Sequence, residues 1–115
     1  MEGELRVREA LRAEFGQEFL EKRLRTGVNA GGMAAFKKFD AVSADETVIA
    51  MVKEYSAVNV VGNRTRLARV MYDLICLHEA DADVKFMYLS AAFLRWFKET
   101  HDAVVPQDVE VRQIP

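Results

Sequence analysis

A chain of 115 residues, half of them hydrophobic and 30% charged, is long enough to bury a core as one domain and too rich in apolar residues to be disordered or fibrous. Sixteen Lys and Arg against 18 Asp and Glu leave a net charge of −2, so no global excess of positive charge draws it to phosphates or anionic lipid, and any such role has to rest on a local patch. The single cysteine, Cys76, excludes an internal disulfide and fits a reducing, cytoplasmic setting.

Taken in chain order, residues 4–25 place Val7, Leu11, Phe15 and Phe19 at steps of four. That spacing predicts a helix which bends near Gly16 and ends at Gly27 in a left-handed cap. Its start, MEGELRVREALRAEF, lacks the apolar run of a secretory signal. Asn29, Gly31 and Gly32 read as a loop, and residues 33–39 as a short helix presenting Phe36 and Phe39 to the core. Ser43-Ala44-Asp45-Glu46 has the form of a capping box, in which hydroxyl and carboxylate each satisfy an orphan backbone N–H. The helix it predicts turns Val48, Ile49, Val52 and either Tyr55 or Ser56 inward.

Asn59 to Asn63 reads as a turn, with Asn63 capping a helix that begins at Arg64. Leu67, Val70, Met71, Leu74, Leu77 and His78 share one face of it, and the apolar area spreads so far around that a central position follows. HEADAD then leads into a predicted helix from Val84 to His101 carrying Phe86, Met87, Leu89, Phe93, Leu94, Trp96 and Phe97. Its most apolar stretch, FMYLSAAFLRWF, is too short and too charged, with Arg95, to span a bilayer. Pro106 stops the helix, and Val109, Val111 and Ile114 alternate with polar residues as in a strand that lies along the body or pairs with a partner's edge. The architecture expected is therefore all-α: a compact five-helix bundle over residues 1–105, with an extended tail over residues 106–115.

Arg64, Arg66 and Arg69 stand near a helix start with no acid among them, the reverse of what a helix N-terminus favours. They could contact phosphates, or pair with the acids Glu9, Glu14, Glu18 and Glu21 of the first helix. GNRTRLAR, residues 62–69, resembles the opening of the Fis-type helix-turn-helix, whose Gly-Asn-Arg-Thr-x-Ala-Ala run precedes the recognition helix. Leu67 and Ala68 put the second alanine out of phase, and MYDLICLH stands where a Gly-Ile-Ser turn would follow, so the family's function is not carried over.

In CLHEADAD, Cys76 and His78 point to opposite sides of a helix and cannot share an ion, His78 reads as a core histidine, and Asp81 or Asp83 as a helix cap. No metal site and no cofactor are expected. Cys76 lacks the elbow and positioned acid of a nucleophile and reads as a small core hydrophobe. Apolar area on the last two helices beyond what one small body can hide would mark a partner site. The function expected is a non-enzymatic adaptor or assembly module that binds a protein partner or itself, as a homodimer, through Phe93, Trp96 and Phe97, rimmed by Arg66 and Arg69. The second reading is a small helical DNA-binding regulator using Arg64, Arg66 and Arg69.

Overall fold

The computed structural model describes residues 2–28, 31–55 and 60–115. The expectations placed on Asn29, Ser56 and Asn59 fall outside them. The elements run α1 (Glu2–Phe15), β1 (Phe19–Val28), β2 (Ala34–Ser43), β3 (Val48–Lys53), α2 (Val60–Glu79), β4 (Val84–Leu89), α3 (Ala91–His101), a 3-10 turn (Asp102–Val104) and β5 (Val109–Gln113). The five strands form one mixed sheet in the order β1-β2-β3-β4-β5. β1, β2 and β3 pair antiparallel, and β3, β4 and β5 pair parallel, the last two junctions bridged by α2 and α3. This overturns the all-α five-helix bundle: four of the five expected helical segments are wholly or partly strands, and only 64–79 lies entirely in a helix.

VIAMVK shows why. Val48, Ala50 and Val52 pack with Val7 and Leu11 of α1, whereas Ile49 and Met51 pack with Val70, Leu74 and Leu77 of α2 and with Phe93 and Phe97 of α3. A strand covered on both faces is a continuous apolar run, and such a run matches a helical stripe as readily as a strand. VKFMYL repeats the pattern in β4, with Phe86 and Tyr88 toward α1 and Met87 and Leu89 toward α2 and α3. The predicted helix over 84–101 is thus a strand followed by a helix, and 64–79 is not a bundle centre but part of a helix lying on one face of a sheet.

The punctuation also differs. Gly16 (φ 70°) ends α1 rather than bending it, its N–H bonding to the Arg12 carbonyl at 2.9 Å. Gly27 (φ 143°) sits at a register shift in β1 rather than at a helix end. Ser43 to Glu46 forms the β2–β3 turn: the Asp45 carboxylate accepts from the Ser43 hydroxyl (2.8 Å), the Thr47 N–H (3.1 Å) and the Thr47 hydroxyl (2.7 Å), and Glu46 takes φ 62°. Short polar side chains that cap helices also close turns, so the motif carries both meanings. Asn63 lies inside α2 rather than capping it. The strand-like tail pairs with β4 of its own chain, residue Val109 opposite Lys85. No helix among the described residues is long and apolar enough to cross a membrane.

Candidate anion-binding site

Strand alternation puts Lys37 and Lys53 on the sheet face that α2 covers. Lys37 is two residues from Phe39 on β2, Lys53 two from Met51 on β3, and both Phe39 and Met51 belong to the α2-side core. On α2, Thr65, Arg69, Tyr72 and Asp73 follow at helical spacing and form one stripe. With Ala68 these residues line a cavity of about 320 Å³. At its base the Asp73 carboxylate, 2% exposed, meets Lys37 Nζ at 3.3 Å and Lys53 Nζ at 2.9 Å. Burial works against the Lys53 ammonium, but the Asp73 carboxylate beside it prevails and holds the lysine above its ordinary pKa, fully charged at neutral pH.

Tyr55 forms the shoulder of this site. Its main chain is clamped by Ser90: the Tyr55 N–H donates to Ser90 Oγ at 2.9 Å, and Ser90 Oγ–H donates to the Tyr55 carbonyl at 2.9 Å. The ring lies 4.9 Å from Phe93, and the Arg66 guanidinium sits 4.8 Å above it. The Tyr55 hydroxyl is buried with no hydrogen-bond partner among the described residues, and burial raises its pKa. Lys53, Arg69 and Arg66 all act on it electrostatically, so the constellation is contiguous.

The surrounding chain is depleted of acids. Residues 22–39 include Lys22, Arg23, Arg25, Lys37 and Lys38, and residues 55–72 include Arg64, Arg66 and Arg69, with no Asp or Glu in either run. A chain of net charge −2 therefore concentrates positive charge on β1, β2 and the first half of α2. Lys37 falls in the first of these runs, whereas Lys53, beside Glu54, falls in neither; a helical reading of both segments conceals the strand pairing that brings the two lysines together beneath α2.

Among the residues expected to function, Arg66 and Arg69 fall at this site, and Arg64 lies exposed on the same helix. Three of the four acids offered as their partners are engaged elsewhere: Glu14 with Arg112 (2.7 Å), Glu18 with Arg12 (3.3 Å) and Glu21 with Lys38 (3.6 Å). Phe93 and Phe97 are fully buried in the core, and Trp96 is half-buried against Phe93 and His101. The aromatic face of α3 is thus occupied by the molecule itself. His78 is exposed rather than a core residue, with Nδ1 2.9 Å from Asp108, and Asp81 and Asp83 precede a strand, so neither caps a helix. Cys76 is buried, and burial pushes its thiol pKa up, away from nucleophilic chemistry.

Two other charged clusters lie elsewhere on the molecule. A cavity of about 610 Å³ at the starts of β4 and β5 has its charges paired internally, Lys85 with Asp108 at 3.0 Å and Arg112 with Glu14 and Glu110. On the α1 face, Glu4, Glu21 and Asp40 bring carboxylate oxygens within 4.8 Å of one another and could offer ligands to a hard cation. A bulge produces this convergence: between the pairs Leu20–Val42 and Lys22–Phe39, Glu21 alone faces both Asp40 and Ala41. No protein family, no curated protein and no solved structure matches the chain.

Proposed function

We propose that this protein is a nucleic-acid-binding module that grips a phosphate backbone with Lys37, Lys53 and Arg69, assisted by Arg66 and Arg64. It acts by binding, with no catalytic role and no cofactor. The observation that carries the reading is the cationic cavity lined by Lys37 of β2, Lys53 of β3 and Arg69 of α2, in which the two lysines meet one buried carboxylate, beside two runs of sequence free of Asp and Glu. Guanidinium and ammonium groups held on rigid elements suit phosphate oxygens, and the release of counterions supplies the affinity. The arginines of the DNA-binding reading thus act from a helix lying on a sheet rather than from an all-helical body. The adaptor reading, by contrast, needs rings that Phe93 and Phe97 have already committed to the core. A cytoplasmic setting is proposed with it, in keeping with the lone thiol of Cys76.

Fluorescence anisotropy with a labelled oligonucleotide, repeated across a salt series, tests the proposal. Binding should weaken steeply with salt, and Arg69→Ala should lower affinity for every sequence while reducing the log–log salt slope by about one. Absence of binding at low ionic strength, or affinity unchanged in the Arg64→Ala, Arg66→Ala, Arg69→Ala triple variant, would refute it.

A further inference from the structure

We infer that the strand this site takes is single-stranded, with a base stacked on Tyr72. The inference rests on the nucleic-acid reading above and specifies which form of the polymer fits. Tyr72 lines the same cavity as Lys37, Lys53 and Arg69, yet its side of α2 faces outward and the residue is 58% exposed. Lys37 Nζ lies 5.0 Å from the ring centroid, so the aromatic surface and the phosphate-binding charge are joined in one unit. Ile75, three residues on and 57% exposed, extends the apolar rim by a further turn of the helix.

An exposed aromatic ring at the mouth of a cationic cavity has a specific use for a single strand. An unpaired base has a free π-face and a flexible backbone, so it stacks on the ring while its phosphate reaches the cations, and this works for every base. A duplex keeps its bases stacked on one another and offers the ring only groove walls and phosphates. The scale agrees as well. A cavity of about 320 Å³ holds a ligand of roughly one nucleotide, whereas a duplex footprint calls for cations spread along two backbones.

The test compares a labelled single-stranded oligodeoxynucleotide of about 12 residues with the duplex of the same sequence, using wild type, Tyr72→Leu, Tyr72→Phe and Arg69→Ala. The single strand should bind roughly tenfold more tightly than the duplex. Tyr72→Leu should lose roughly that factor for the single strand alone, and Tyr72→Phe, which keeps the ring, should retain it. Circular dichroism of the exposed-site variants verifies that each is folded. Equal affinity for both forms, or a Tyr72→Leu variant as tight as wild type, overturns the inference. If both forms bind equally and both weaken on Arg69→Ala, the nucleic-acid site stands and only the single-strand assignment falls. If neither form binds at low salt, both readings fall together.

Discussion

Lys53 Nζ lies 2.9 Å from the carboxylate of Asp73, which in turn is only 2% exposed and also meets Lys37. Asp73 is therefore an internal counter-ion that holds two lysines of the binding cavity in place and offsets part of their charge. Asp73→Asn keeps the shape and removes the offset. We expect affinity for a polyanion to rise several-fold at low salt with a steeper salt dependence. Stability should fall by roughly 1–3 kcal/mol, less than for a fully enclosed pair because both lysines can swing toward water. Urea melts and anisotropy on the same preparation measure the two effects.

Tyr55 carries a hydroxyl that is buried and unpartnered among the described residues. Such a group forfeits its hydration without compensation, so Tyr55→Phe should stabilise the protein by about 1 kcal/mol, visible as a higher urea midpoint at unchanged slope. The Arg66 stack and the Phe93 contact use the ring and are kept in this variant.

The fully buried Phe97 and its half-buried neighbour Trp96 separate core from surface. Phe97→Ala should cost about 3–5 kcal/mol, the size of a large cavity in a packed core, and Trp96→Ala clearly less. If α3 docked onto a partner or a second copy, Trp96→Ala would instead change the mass measured by light scattering across a dilution series while leaving the melt nearly intact. We expect a concentration-independent mass in both cases.

Two aspartates should respond to pH in opposite senses. Burial raises the pKa of Asp40, the Val52 N–H that bonds its Oδ2 at 2.7 Å pulls it back, and the charge of Glu4 pushes it up again. The folded state then binds more protons than the unfolded state just above the ordinary carboxylate pKa, so this group makes the protein more stable as pH falls through that range. Asp40→Asn should thus be more stable than wild type at neutral pH, by on the order of 1 kcal/mol, with the difference shrinking on acidification. Asp45 behaves conversely. Bonds from the Thr47 and Ser43 hydroxyls and the Thr47 N–H hold it down to about 2, so its contribution is present above the ordinary carboxylate pKa of 3.8 and is lost as pH falls toward 2. Melts of wild type, Asp40→Asn and Asp45→Asn between neutral and acid pH resolve the two.

The parts of this fold legible in the sequence are those where pattern and element coincide without competition. The amphipathic spacing of Val7 and Leu11 does lie on a helix, the long apolar stripe with Val70, Leu74 and Leu77 does lie on α2, and the alternation of Val109 and Val111 does lie on a strand. The centre of the sheet was illegible for a physical reason. β3 and β4 are buried on both faces, so their residues show no alternation, and Phe86, Met87 and Leu89 run on into the α3 residues Phe93 and Phe97 with only Ser90 between the two elements. At the candidate site, Arg66 and Arg69 stood out by their lack of nearby acids. Lys37 and Lys53 did not, because only the strand pairing brings β2 and β3 beneath α2, and a buried Asp73 between them has no local signature.

Because strands lie across the sheet in the order in which they are synthesised, each has its hydrogen-bonding neighbour waiting when it emerges, and none has to be threaded between two others. The exception is the seam between the first helix and the last strand. Arg6 Nε donates to the Pro115 carbonyl at 2.7 Å, and Glu14 pairs with Arg112 at 2.7 Å, which commits the earliest helix to contacts with the latest residues. Assembly can therefore proceed like a row of tiles laid one beside the next, with a final latch that locks only when the whole row is down. Early opening should accordingly begin at the β5 side and leave the β1–β3 meander standing longest, a gradient that amide hydrogen exchange reads strand by strand.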